Sequence, residues 1–117
     1  MTLSGVVVKG EQLGRKLGFP TANLDFEGPA PERGVWAVVV EGEGLPQRKA
    51  VCNIGVRPTV SGTGHVLVEV HIPNFSGDLY GKTLKIDFLR KLRDEKKFVS
   101  LDELKKQIAA DAAAALA

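Results

Sequence analysis

A glycine-rich segment near the start of the chain combines residue types suited to binding phosphate. It runs Gly14-Arg15-Lys16-Leu17-Gly18-Phe19-Pro20-Thr21-Ala22-Asn23. Its glycines let backbone amides approach a ligand closely, and its cations can balance a phosphate charge. Thr21 and Asn23 are two positions apart, so they point to the same side of an extended chain. Their oxygens suit a hard cation such as Mg²⁺, which keeps water and phosphate oxygens as its other ligands. The spacing is neither that of a Walker A loop nor that of a dinucleotide fingerprint, and the alternative interpretation is a turn with local hydrogen bonds.

Glu69 lies in the middle of an alternating segment, Val66–Ile72. Even-numbered residues of this segment are apolar, and Glu69 and His71 occupy odd-numbered positions. The pattern therefore predicts a strand whose apolar face points into the core, with Glu69 and His71 on the wetter face. A carboxylate there can accept a proton from an attacking hydroxyl, which makes Glu69 a candidate base. The alternative is a solvated strand face, and we expect His71 to be structural.

A mixed-charge run, Arg90–Lys97, precedes the last predicted element. Acidic residues interrupt it and aromatic residues are not interleaved with it, so it is a poor candidate for nucleic-acid contact. A solvated edge is one interpretation. In another, Arg93 binds phosphate through two guanidinium nitrogens while Glu95 orients it. Cys52 lies in an apolar segment without an evident base, so we expect it to pack in the core rather than to react.

Composition and charge exclude several other classes of protein. The chain has 117 residues, of which 44% are hydrophobic and 26% charged, and this is the balance of one globular domain. A net charge of +2 is too small for a protein held mainly by nucleic-acid backbones. The single cysteine excludes an internal disulfide and a cysteine-cluster metal site. No apolar run approaches ~18 residues, and the N-terminus does not resemble a signal peptide. We therefore expect a cytoplasmic protein without a membrane span, forming one domain over residues 1–117.

Short strands separated by glycine and proline occupy most of the chain, and a helix follows them. The pattern predicts strands at Val6–Val8, Ala22–Phe26, Val35–Val40, Gln47–Ile54, Val66–Ile72 and Thr83–Leu89, with a long loop over Arg57–Gly64. The continuous apolar run Val35–Val40 indicates a strand buried on both faces. In the strand Thr83–Leu89, the alternation predicts that Leu84, Ile86 and Phe88 point inward. Ser100-Leu101-Asp102-Glu103 is a capping box, and the helical spacing behind it places four residues on one apolar stripe: Leu101, Leu104, Ile108 and Ala112. This order predicts a mainly β fold, a small closed antiparallel barrel with a helix packed against it.

Taken in order, these segments resemble the riboflavin kinase family. The Pro-Thr-Ala-Asn motif of that family is matched at residues 20–23. Further matches are Asn53-Ile54-Gly55 with Arg57-Pro58-Thr59, Glu69-Val70-His71-Ile72, Asp78-Leu79-Tyr80-Gly81, and the run from Leu92 through Ser100 and Leu104 to Asp111. The resemblance covers nearly the whole chain with family-like spacing, which makes it specific although the tetrapeptide alone would not be.

The resemblance implies a six-stranded antiparallel β-barrel of Greek-key type with a C-terminal α-helix. It also implies an enzyme that transfers the γ-phosphate of ATP to the ribityl 5′-hydroxyl of riboflavin, giving FMN and ADP. In such an enzyme Glu69 would be the catalytic base, and Thr21 and Asn23 would bind Mg²⁺ and the phosphates. Arg93 and Phe98 would lie on the flavin side. The ATP side would also include a flap whose binding residues are Gly14, Arg15, Lys16 and Gly18.

In bacteria, a domain of this family is usually the C-terminal half of a bifunctional protein that also adenylylates FMN. The adenylyltransferase half carries a His-x-Gly-His-type motif, to which His65 and His71 do not correspond. We therefore expect no FMN adenylylation from these residues, although an adenylyltransferase domain could accompany them in a parent protein.

Two other functions are compatible with a small barrel. A non-catalytic flavin- or nucleotide-binding barrel with a regulatory role is disfavoured, because Thr21, Asn23 and Glu69 are all present. A nucleic-acid-binding barrel is disfavoured by the near-neutral charge and by the single tryptophan and tyrosine, Trp36 and Tyr80. We expect riboflavin, FMN, ATP and ADP as binding partners. We expect binding to neither nucleic acid nor membrane, and we expect the protein to be a monomer.

Overall fold

A computed structural model describes residues 1–8, 21–26, 28–58, 64–75 and 77–117, with side chains in the same ranges except at positions 57, 58, 64 and 65. These residues form six strands and one helix. The elements are β1 (Thr2–Val8), β2 (Thr21–Phe26), β3 (Gly34–Gly42), β4 (Leu45–Pro58), β5 (Gly64–His71), β6 (Thr83–Arg93) and α1 (Leu101–Leu116). Within the described ranges, no helix has the length and apolar character that crossing a bilayer requires.

The strands close into a barrel in the order β1-β2-β5-β4-β3-β6, and every neighbouring pair is antiparallel. Strands β3, β4 and β5 follow one another around the barrel, and β6 returns to lie beside β3. This order is that of a Greek key. The predicted fold class, a mainly β closed barrel with a C-terminal helix, is confirmed.

Aliphatic side chains that alternate along the strands fill the barrel. The largest fully buried side chains are Ile54, Leu84, Ile86, Val38, Val40, Val68, Val70 and Cys52. The predicted inward set of β6 is confirmed, since Leu84, Ile86 and Phe88 are all buried. Burial raises the pKa of the Cys52 thiol well above its ordinary value, and the Glu69 carboxylate raises it further. Cys52 is therefore a packing residue, as predicted.

Strand β3 is buried on both faces, also as predicted. Val38 and Val40 point into the barrel and belong to its core. Val35 and Ala37 point outward into a second apolar cluster, in which Ala115 of α1 takes part. The helix therefore covers the outer wall of the barrel at β3, and this explains why the sequence of β3 is apolar throughout rather than alternating.

The predicted helix boundary is confirmed, but its apolar stripe is only partly correct. The Ser100 hydroxyl accepts a hydrogen bond of 3.2 Å from the Glu103 amide, and the helix begins at the next residue. Leu101 is exposed, however. The buried residues of α1, Asp111 and Ala115, lie in its later turns, so the first turn contributes little to packing.

Two expectations around β5 are also wrong. Val66 is 38% exposed, because the pairing of β2 with β5 runs only from Val68 to His71 and leaves Val66 beyond the barrel wall. The predicted loop over Arg57–Gly64 is shorter than expected. β4 continues to Pro58 and β5 begins at Gly64, and these two residues are partners in the register.

Candidate active site

Three polar residues form a row across neighbouring strands on the outer surface of the barrel. The register pairs Asn23 of β2 with Glu69 of β5, and Glu69 with Asn53 of β4. Residues directly opposite each other in an antiparallel pair have Cβ atoms ~5 Å apart. Because Val68 and Val70 are buried in the core, Glu69 points to the outer face, between the two carboxamides.

The next row along the same strands contains Thr21, His71 and Val51. Thr21 pairs with His71, which in turn pairs with Val51. The predicted sharing of one strand face by Glu69 and His71 is confirmed, and so is that of Thr21 and Asn23. The barrel therefore brings the two separate polar segments of the sequence together on one patch.

A cavity of about 230 Å³ lies between this patch and the helix. Its lining comprises Thr21, Val35, Val51, Asn53, Glu69, His71, Arg93, Glu95, Lys96, Phe98, Leu104, Ile108 and Asp111. The cavity thus collects residues from five strands, the β6–α1 connection (residues 94–100) and the helix. Four of the predicted site residues, Thr21, Glu69, Arg93 and Phe98, lie in this single lining.

The cavity is polar on one side and mainly aliphatic on the other, where the charges of Arg93 and Asp111 are paired with each other. Thr21, Glu69 and His71 lie on β2 and β5, whereas Val35 on β3 and Leu104 on α1 lie towards the helix. The apolar side can pack against a flat ring, and the polar side can hydrogen-bond hydroxyl groups. A ligand with an aromatic ring and a polyhydroxyl chain would match both sides.

A second cavity, of about 210 Å³, lies next to the first. It is lined by Val7, Thr21, Ala22, Val70, Ile72, Phe75, Gly77, Asp78, Leu79 and Tyr80. Among the described residues that line these two cavities, Thr21 is the one they share. The turn beside it is ordered by Arg48, whose Nη2 donates to the Pro73 carbonyl at 2.8 Å and whose guanidinium lies over the Phe75 ring.

Arg93 is held by the helix. Its Nε and Nη2 donate to the two carboxylate oxygens of Asp111, at 3.0 and 2.9 Å. Its guanidinium carbon is 5.9 Å from the centroid of the Phe98 ring. Glu95 instead accepts a hydrogen bond from Nε of Arg33 at 3.0 Å. The structure therefore pairs Arg93 with Asp111, and the interpretation in which Glu95 orients Arg93 is not the arrangement found.

The family model described as "Flavokinase: Riboflavin kinase" matches residues 1–117. The chain belongs to the riboflavin kinase family. The family resemblance found in the sequence is thereby confirmed.

Individual members of the riboflavin kinase family are also similar to this chain. It is 48% identical over 110 residues to the bifunctional riboflavin kinase/FMN adenylyltransferase of Escherichia coli (strain K12), a match that covers 93% of this chain and 35% of that relative. The chain therefore spans about a third of the length of this curated relative.

Two solved structures share the fold. The riboflavin kinase from Trypanosoma brucei has a TM-score of 0.65 and 27% identity, over 94% of this chain and 73% of that one. A protein named as the macrolide-efflux protein from Streptococcus pneumoniae has a TM-score of 0.86 and 37% identity, over 94% of this chain and 36% of that one.

Some predicted site residues of this riboflavin kinase family member do not belong to the lining of the first cavity. Asn23 lies next to Glu69 in the register, outside the lining of the first cavity. Gly14, Arg15, Lys16 and Gly18 lie outside the described residues.

Two residues of the site received no role from the sequence. Asn53 is a polar residue between buried neighbours of a strand, and this alternation already indicated an outward side chain. Asp111 follows Leu104 and Ile108 at helical spacing, so it interrupts an apolar stripe. An acid in such a position is a sign of a specific buried partner.

Proposed function

We propose that this chain is a riboflavin kinase, which transfers the γ-phosphate of ATP to the ribityl 5′-hydroxyl of riboflavin and releases FMN and ADP. The observation that carries the proposal is the position of Glu69. Its carboxylate belongs to the polar side of the first cavity, next to Thr21, at which the second cavity meets the first. A hydroxyl in one cavity and a phosphate in the other would therefore meet beside a candidate base.

Riboflavin would occupy the first cavity in one orientation. Its isoalloxazine ring would pack on the apolar side, against Val35, Leu104 and Ile108, with Phe98 closing the cavity from the β6–α1 connection. The ribityl chain would then extend along the polar side towards Glu69. The opposite orientation would place the ring against a carboxylate and the hydroxyl groups against aliphatic side chains, and both placements leave polar groups poorly paired.

ATP would occupy the second cavity, with its phosphates directed towards Thr21. The aliphatic and aromatic side chains there suit a nucleobase. The donor chemistry of Thr21 and Asn23, one hydroxyl and one amide oxygen, fits Mg²⁺. Among the described residues, no cluster of three acidic, histidine or cysteine side chains could hold a metal alone, so these two residues would share it with phosphate oxygens and water. When bound, the ion supplies charge neutralisation for the transferred phosphate.

Glu69 is the residue proposed to handle the proton. It would accept a hydrogen bond from the ribityl 5′-hydroxyl, orient its oxygen towards the γ-phosphorus, and take the proton as the new P–O bond forms and the bond to ADP breaks. Phosphoryl transfer passes through a loose transition state in most analyses, so positioning contributes more than a strong base does. An ordinary carboxylate is therefore sufficient for this role.

A direct test is to incubate the protein with riboflavin, ATP and Mg²⁺ and to separate the flavins by chromatography. Formation of FMN supports the kinase. Flavin binding without FMN would favour the non-catalytic flavin-binding barrel. Salt-sensitive oligonucleotide binding with neither flavin binding nor FMN would favour the nucleic-acid-binding barrel.

We propose in addition that residues 1–117 form one kinase domain, that Mg²⁺ is its metal, and that it works as a monomer in the cytoplasm, where ATP is available. The closed barrel supports the monomer, because its described strands leave no sheet edge for pairing with another copy. Sedimentation at micromolar protein concentrations and initial rates with Mg²⁺, Mn²⁺ or Zn²⁺ would test these points.

A further inference from the structure

Asp111 of α1 is a buried charged residue. It is 6% exposed, and no other charged side chain in the described ranges is buried. Its carboxylate accepts three hydrogen bonds, two from Arg93 and one of 2.9 Å from Nε2 of Gln107, one helical turn earlier. A buried carboxylate without such partners strongly destabilises a folded protein. The ion pair between Asp111 and Arg93 is therefore strongly favoured in the folded chain.

Arg93 connects this buried acid to the wall of the first cavity. Its Nη1 donates to the Asp94 carbonyl at 3.0 Å, which fixes the start of the β6–α1 connection. Its guanidinium also lies over the ring of Phe98, near the end of that connection. Two hydrogen bonds to one carboxylate fix the plane of a guanidinium as well as its position. Asp111 therefore determines how the Arg93 guanidinium is oriented in the cavity wall.

The other ion pairs described in this connection and next to it are much weaker anchors. Arg33 with Glu95 and Lys91 with Glu32 and Asp94 lie at the surface, and one member of each pair is more than 60% exposed. Exposed pairs of this kind contribute little to stability. The buried pair of Arg93 with Asp111 is therefore the contact that holds the connection against the helix.

We propose that Asp111 is a positioning residue for riboflavin: it acts through Arg93 and holds the guanidinium and Phe98 in the shape that receives the flavin ring. This inference rests on the proposed function. Since Asp111 lies on the flavin side of the site, its effect falls on riboflavin and not on ATP. Gln107 supports it through the third hydrogen bond and has a smaller effect.

The test compares steady-state kinetics of Asp111→Asn with those of the wild type. Asparagine keeps the shape but turns one accepting oxygen into a donor that faces the N–H groups of Arg93. We expect the KM for riboflavin to rise about tenfold or more, ~1.4 kcal/mol, while kcat and the KM for ATP stay within about threefold. Asp102→Asn is the matched control: it is the same substitution on an exposed site of the same helix, and it should change neither KM.

A double variant separates positioning from a merely structural role. If Asp111 acts through Arg93, then Arg93→Lys, which loses the fork but keeps the charge, raises the riboflavin KM similarly. The double variant is then no worse than the worse single one. Multiplied effects in the double variant would overturn the proposal. So would a lower melting temperature of Asp111→Asn with an unchanged riboflavin KM.

The outcomes also distinguish this proposal from the proposed function. A wild-type protein that forms no FMN and does not quench riboflavin fluorescence refutes the function and the inference together. An active wild type whose Asp111→Asn variant has normal riboflavin kinetics refutes the inference alone. If Asp111→Asn does not fold, the riboflavin KM values of Arg93→Lys and Gln107→Ala test the proposal instead. A large riboflavin-specific increase with Arg93→Lys and a smaller one with Gln107→Ala support the proposal, and an unchanged riboflavin KM in Arg93→Lys overturns it.

Discussion

Replacement of Glu69 by glutamine tests the proposed chemistry most directly. Glutamine has nearly the same shape, and the neighbours in the row, Asn23 and Asn53, are carboxamides that can hydrogen-bond an amide as well as a carboxylate. The side chain is half-buried on the outer face of the barrel, outside the apolar core. We therefore expect the melting temperature and the riboflavin Kd of Glu69→Gln to change little.

The expected loss is in the chemical step. A positioned general base contributes about 10²- to 10⁴-fold to a rate, or ~2.7–5.5 kcal/mol, and glutamine cannot accept the proton. We expect kcat to fall by this factor when FMN formation is followed at saturating riboflavin and MgATP, and the riboflavin Kd, measured by fluorescence without ATP, to change by less than about threefold.

Glu41→Gln provides the matched control for this experiment. Glu41 also lies on a strand, and its carboxylate is 3.7 Å from the Lys85 ammonium in a surface pair, whose loss costs at most ~1 kcal/mol of stability. The control should keep full activity. If Glu69→Gln keeps more than about a tenth of the wild-type kcat, a loss of only ~1.4 kcal/mol, Glu69 is not the base.

Three further predictions concern the metal, the thiol and the helix. Asn23→Ala should shift the Mg²⁺ dependence of the rate to higher concentrations, and an unchanged titration would exclude a metal role for Asn23. The pKa of Cys52 is raised above 9.0 in the folded chain, so the unfolded chain loses this proton first as the pH rises. The free energy of unfolding should then fall above about pH 9, by up to ~1.4 kcal/mol per pH unit from this group. Urea titrations at several alkaline pH values would show the decline as a difference between the wild type and Cys52→Ala, and equal slopes would contradict it. Ser100→Ala removes the hydrogen bond to the Glu103 amide and should lower the free energy of unfolding by ~1 kcal/mol, whereas Ser4→Ala, on an exposed strand position, should have little effect.

Local patterns in the sequence predicted the elements well. The alternation in β6 and the continuous apolar run of β3 identified strands with the correct buried faces, and the capping box located the start of α1. These features depend on neighbours a few positions apart, since side-chain direction has a period of two in strands and of 3.6 in helices. The family motifs added the family, because their order and spacing extend over nearly the whole chain.

The same patterns predicted burial wrongly at positions where burial depends on which other strand or helix covers the side chain. Val66 occupies an inward position in the alternation of its strand, yet it is exposed because the pairing with β2 does not extend to it. Leu101 has the spacing of the apolar stripe, yet the helix buries its later turns instead. Periodicity indicates the direction of a side chain, whereas the length and position of another element decide whether that side is covered.

The sequence by itself determined the strands, the helix, the family and the outward side chain of Glu69. The tertiary structure decided which residues surround that carboxylate, because closure of the barrel brings Asn23 and Asn53 to either side of it. It also decided the partner of Arg93: one interpretation of the sequence paired it with Glu95, whereas the fold places it against Asp111. The physical reason is that strand pairing and helix packing bring distant segments together, and the buried Asp111 carboxylate requires a charged partner that only this packing supplies.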